Sequence, residues 1–180
     1  MKSIVVYYSR PDENYGVGEV EVGNTELLAK EIIKQTGADE FKIEPKVPYP
    51  KNYMDCVNQA TEELKNNARP EYLGDVDLKD YDIIYLGYPI WWGDLPMVCY
   101  TFLENHDFTG KTIIPFNTHE GSGNSGTYAK LQSKFPAATF KGDGFEMTGH
   151  EARTPEGIAK LNAWLKTLEY GSLRYYCQTR

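Results

Sequence analysis

The chain has little with which to bind a metal or a polyanion. Its three cysteines, Cys56, Cys99 and Cys177, form no C-x-x-C pair, and its three histidines, His106, His119 and His150, are as scattered. Zinc needs ligands at short, regular spacing, so no metal site is expected. An odd, dispersed set of thiols is the pattern of reduced cysteines in the cytoplasm. Arginines number only five, and acidic residues outnumber basic ones 26 to 19, for a net charge of −7. The dense cationic surface that nucleic acid or an anionic membrane demands is therefore missing. Long apolar runs are missing too: the longest, Ile83 to Trp92, contains Gly87 and Pro89 and is about half of a bilayer span. The N-terminus enters a strand-like run with no basic region or cleavage site ahead of it, which again points to the cytoplasm. No G-x-x-x-x-G-K-[ST] string is present, which argues against a nucleoside-triphosphate loop.

What is present suits one compact domain. At 180 residues and 41% hydrophobic composition, the chain can bury roughly 70% of its unfolded surface without disulfide or metal staples. We expect that domain over 1–170, with a tail, 171–180, in which no pattern is evident. Ile4, Val5, Val6, Tyr7 and Tyr8 form a continuous apolar run, as in a parallel strand covered on both faces. Further strands are expected at 40–43, 83–88, 112–116 (weakened at its end by Pro115, which lacks a ladder donor) and 138–141. Helical periodicity marks 25–36, stopped by Gly37, then 52–67 with a buried stripe of Tyr53, Val57, Ala60 and Leu64. It marks a helix capped by Asp94 with Leu95, Val98, Cys99, Phe102 and Leu103 on one face, and another at 127–135. The last opens at Thr154 and Pro155, ahead of Ile158, Leu161, Trp164, Leu165 and Leu168. Five strands alternating with five helices predict an α/β three-layer sandwich around a five-stranded parallel sheet.

In such a sheet a ligand sits beyond the carboxyl ends of the strands. The loops there run from Ser9 to Thr25, Tyr88 to Asp94, and Asn117 to Thr127. The first ends in Gly23, Asn24 and Thr25 at a helix start, where free N–H groups and the positive dipole end favour a single phosphate ester. An ordinary N-cap would explain Asn24 or Thr25 equally well; Ser9 and Arg10 at the strand end tilt the balance to the anion. The second loop places Trp91 and Trp92 where the backbone turns, which suits a flat conjugated ligand. Adjacent indoles on an extended segment point apart, so one faces the ligand and the other the core. The third, Gly121-Ser122-Gly123-Asn124-Ser125-Gly126, matches G-x-G-x-x-G, with Asp143 near the distance of a ribose contact. Too little βαβ structure follows it for a dinucleotide fold, and the glycines are better read as letting Thr118 and His119 approach a ring edge. His119 itself reads as a solvated loop histidine, since nothing nearby suggests an acid–base pair.

Taken together, the stretches 4–10, 23–33, 81–96 and 110–126 resemble the flavodoxin-like proteins, the string Tyr88-Pro89-Ile90-Trp91-Trp92-Gly93 most specifically. The resemblance implies strand order 2-1-3-4-5, for which flavodoxin is a standard example, and an FMN cofactor. It assigns the phosphate to Ser9, Arg10, Asn24 and Thr25, and the isoalloxazine to Pro89, Ile90, Trp91 and Trp92 on one side and Thr118, His119 and Gly121 on the other. Trp92 would be the ligand-side indole. One departure is plain: Pro11 to Val22 separate the strand's serine from the helix-opening Asn-Thr, and their acidic residues Asp12, Glu13, Glu19 and Glu21 would repel a dianion. That insertion is expected to fold away from the phosphate. With the flavin carrying the chemistry, no catalytic side chain is expected. Three readings follow: an electron carrier that docks a redox partner protein, an FMN-dependent oxidoreductase passing electrons from NAD(P)H to a quinone or other small acceptor, and a binding module without redox use.

Overall fold

The apolar run after Ser3 becomes strand β1 (Ser3–Tyr7) in a computed structural model that describes residues 1–177, with side chains through Leu168. Its alternation divides the run between two cores: Ile4, Val6 and Tyr8 enter one, Val5 and Tyr7 the other. That is the two-faced burial a continuous apolar strand requires. After β1 come a hairpin, β2 (Asp12–Asn14) and β3 (Gly18–Val20), then helix α1 (Asn24–Thr36) and strand β4 (Asp39–Lys42). Helix α2 (Tyr53–Lys65) and strand β5 (Ile83–Pro89) follow, then α3 (Met97–Glu104), β6 (Thr112–His119) and α4 (Thr127–Lys134). The chain closes with β7 (Thr139–Phe140), β8 (Phe145–Thr148), a short 3₁₀ turn (Glu151–Arg153) and α5 (Pro155–Cys177).

The main sheet is parallel, in the order β4-β1-β5-β6, with β7 and β8 sharing the fifth position beside β6. This is the order 2-1-3-4-5. Leu28 and Ile32 of α1 pack with Leu161, Leu165 and Leu168 of α5 on one face, while α2, α3 and α4 supply Cys56, Val98, Phe102 and Leu131 to the other. Gly37 ends α1 in the left-handed conformation, and the Thr154 hydroxyl accepts the Gly157 N–H at the start of α5, both as the sequence predicts. The expected tail 171–180 is partly helix, since α5 is drawn to Cys177; residues 178–180 and the Cys177 side chain lie outside the described residues.

Three elements differ from expectation for identifiable reasons. β6 continues past Pro115 to His119. The Lys141 N–H donates to Ile113 O at 3.3 Å on the β7 side, and the next rung there needs an N–H from residue 115, which proline lacks. The proline therefore breaks the neighbour: β7 stops at Phe140 and β8 resumes pairing at Phe116. Asp94 does not cap α3, whose cap position is Pro96. Its carboxylate instead accepts from the Tyr100 hydroxyl at 2.5 Å and from Lys130 Nζ. Finally, the insertion is a hairpin rather than a loose loop. Asn14 Nδ2 donates to the carbonyls of Arg10, Pro11 and Asp12, and Gly16 and Gly18 take the positive φ its turn needs.

Candidate functional site

Because β1, β5 and β6 run parallel, their carboxyl ends open on one edge, and the three loops leaving them converge on a cavity of about 300 Å³. Among the sequence-predicted residues, Arg10, Asn24, Pro89, Ile90, Trp91, Trp92, Thr118 and His119 line it. Ser9 and Thr25 are buried beneath the first loop, and Gly121 lies off the cavity wall.

At the first loop, Gly23 brings α1 against the end of β1. A Cβ there would fall 2.3 Å from Ser9 Oγ and 2.5 Å from the Arg10 carbonyl, so only glycine permits the approach. Ser9 Oγ then accepts the Glu26 N–H at 2.9 Å, and the Thr25 hydroxyl bonds that of Thr118 at 2.7 Å, tying the first loop to the third. The amides of Asn24 and Thr25 remain at the open, positive end of the helix. Arg10 lines the cavity and also bonds the main chain. Its Nε and Nη2 donate to Glu13 O at 3.2 and 3.1 Å, and Nη2 also to Lys51 O at 3.0 Å. The guanidinium anchors the hairpin to the segment entering α2.

The second loop turns in four residues. Trp91 and Asp94 exchange backbone bonds of 2.8 and 3.1 Å, and Trp92 and Gly93 both have positive φ, 52° and 70°, which defines a type I′ turn. The indoles differ in their surroundings, although both line the cavity. Trp91 stands edge-on to Tyr8 and Tyr49, with centroids at 5.4 and 5.0 Å, whereas Trp92 is 62% exposed at the cavity rim.

At the third loop, His119 is half-buried at the end of β6 rather than solvated. Its Nδ1 accepts the Gly121 N–H at 2.9 Å, which puts the ring proton on Nε2. The neighbouring Glu120 carboxylate lies between the hairpin and the loop after β8: a Cβ at Gly16 would sit 2.7 Å from one oxygen, and one at Gly149 2.6 Å from the other. Burial pushes its pKa above the usual carboxylate range.

Several lining residues had no assignment in the sequence reading: Asn14 and Tyr15 of the hairpin, Cys56 of α2, and Glu120 and Ser122. The insertion therefore does not fold away from the site. Asn14 and Tyr15 face the cavity, Tyr15 packs on Tyr53 at 6.1 Å, and Glu13 turns aside to accept the Tyr53 N–H at 2.8 Å. The stripe of α2 expected to be core is partly cavity wall, through Tyr53, Val57 and Ala60, and Leu64 is exposed. Periodicity identifies an apolar face without saying what covers it. Burial pushes the Cys56 thiol up, with the Arg10 charge acting against it, so it is no ready nucleophile.

The arrangement can hold a phosphate at one end and a flat ring at the other. The glycine-permitted cradle and the exposed indole are what FMN requires; redox chemistry would come from the flavin, and binding and orientation from these side chains. Comparison with known proteins gives a family and a fold. The flavodoxin family model matches residues 19–168. No curated protein matches. Among solved structures, a candidate flavoprotein from Bacteroides eggerthii is 26% identical, with 93% of this chain and 98% of that chain covered and a TM-score of 0.72. Another from Bacteroides uniformis is 29% identical over 92% and 97%, also at 0.72. A Lactobacillus acidophilus flavoprotein in complex with FMN, 18% identical over 81% and 91% with a TM-score of 0.60, shares the fold.

Proposed function

We propose, for a chain that belongs to the flavodoxin family, the role of an FMN-containing electron carrier acting between redox partner proteins in the cytoplasm. FMN is the cofactor. The observation that carries the reading is the convergence of the β1, β5 and β6 loops on one cavity whose wall includes Asn24 at the start of α1. The first-turn amides of that helix, with Ser9 and Thr25 buried beside them, suit the phosphate. Pro89, Ile90, Trp91 and Trp92 suit one side of the isoalloxazine, and Thr118, His119 and the glycine turn at Gly121 the other.

The net charge of −7 and the exposed Tyr15 and Trp92 at the rim favour encounter with a basic protein. No helix among the described residues is long and apolar enough to cross a membrane.

Calorimetry of the flavin-stripped chain should give FMN at least tenfold tighter than riboflavin, since a charge-assisted hydrogen bond contributes about 1.5–3 kcal/mol. Equal affinities would remove the phosphate assignment. The carrier role makes a separate prediction: reduction by a basic partner should slow steeply as salt rises, because exposed charges are screened beyond about 8 Å at physiological ionic strength. Salt-independent rates, joined to rapid oxidation of NAD(P)H by the protein alone and transfer to a quinone, would establish the oxidoreductase reading in its place.

A further inference from the structure

The opening of α1 has a charge problem. The insertion from Pro11 to Val22 contains no lysine or arginine, the Arg10 guanidinium is turned to main-chain carbonyls, and the Glu120 carboxylate lies beside Asn24. A Cβ at Gly149 would meet Asn24 Nδ2 at 2.1 Å and Glu120 Oε1 at 2.6 Å. A phosphate dianion arriving there meets like charge.

A further cation lies at this opening. Arg153, which ends the 3₁₀ turn 129 residues from Asn24, donates through Nε and Nη2 to Asn24 Oδ1 at 3.1 and 2.9 Å. Its Nη2 also donates to Val22 O at 2.7 Å. It directly precedes Thr154, the cap of α5, so it stands where α1 and α5 both begin. A cation is disfavoured at the positive end of a helix, and here it adjoins two. No carboxylate pairs with it among the described residues; Glu151, its near neighbour, pairs with Lys160. Partial burial of the guanidinium lowers its pKa. An exposed arginine held to an amide and a carbonyl oxygen, with no carboxylate partner among the described residues, can still present donors to an anion at the two positive helix ends.

We propose that Arg153 is the residue by which this chain selects a phosphorylated flavin, supplying positive charge at the opening of α1. The proposal rests on the reading of that opening as the phosphate end of an FMN site. Arginine suits the role, because its planar fork can hold Asn24 and present further donors to a phosphate.

The test is titration of flavin-stripped parent, Arg153→Gln and Arg153→Lys chains with FMN and with riboflavin, followed by flavin fluorescence at several salt concentrations. For Arg153→Gln, FMN affinity should fall at least tenfold, riboflavin affinity should stay within twofold, and the salt dependence of FMN binding should flatten. Arg153→Lys, which keeps the charge, should keep most of the preference. A glutamine variant with the parent's FMN-to-riboflavin ratio, a lysine variant no better than glutamine, or equal losses for both flavins would each overturn the assignment. Should the parent itself show no preference for FMN, the phosphate reading of the opening fails first. A parent preference that survives Arg153→Gln leaves that reading intact and removes Arg153 alone.

Discussion

Replacing Gly23 with alanine is expected to weaken FMN binding ten- to a hundredfold and to lower stability by about 1–3 kcal/mol. Its backbone is extended, with φ −66° and ψ 161°, so the effect does not come from dihedral strain. It comes from space: the new methyl would stand 2.5 Å from the Arg10 carbonyl oxygen and 2.7 Å from its carbon, and backbone atoms cannot swing aside as a side chain can. The first turn of α1 must withdraw from the end of β1. That stretches the bond from the Glu26 N–H to Ser9 Oγ and the Thr25–Thr118 hydroxyl pair, and displaces the amides that would meet the phosphate. Flavin fluorescence titration and urea midpoints read the two effects separately. An alanine variant that binds FMN like the parent would show that this helix end is not the phosphate site.

The tryptophan pair should divide binding from stability. Trp91→Ala is expected to lose about 3 kcal/mol of stability, because it removes an indole packed edge-on against Tyr8 and Tyr49 and leaves a void at the edge of the core. Trp92→Gly should do the opposite. A bulky residue at φ 52° is strained by about 1 kcal/mol relative to glycine, and the exposed indole has little packing to lose. The variant should be as stable as the parent or more so, yet bind FMN about fivefold more weakly and quench its fluorescence less, an aromatic contact contributing about 1 kcal/mol. Two variants with parental FMN affinity would take this loop out of the site.

Where local chemistry and tertiary structure agree, the sequence was sufficient. The continuous run of β1, the stop at Gly37 and the cap of α5 each announce themselves within a few residues. Asp94 shows how local chemistry misleads: an aspartate ahead of an apolar periodicity looks like a helix cap whether it begins the helix or ends the preceding turn. Pro115 misleads in another way, since a missing donor breaks the ladder only on the side its nitrogen faces, and the pairing with β5 carries the strand on. The hairpin had no alternation to reveal it, being held by Asn14 and by an arginine that reaches the carbonyls of Glu13 and Lys51. Arg153 carried no local signal at all; its role exists only because the loop after β8 returns to the start of α1.

The hairpin begins and ends at nearly one point, since Arg10 and Gly23 are in contact. The twelve residues between them thus form a closed excursion, and lengthening such a loop carries an entropic cost that grows only with the logarithm of its length. Between β1 and α1, this is where the chain can gain or lose length while the geometry of both stays put. Variation in how the flavin is covered can accordingly accumulate there independently of variation in how it is held.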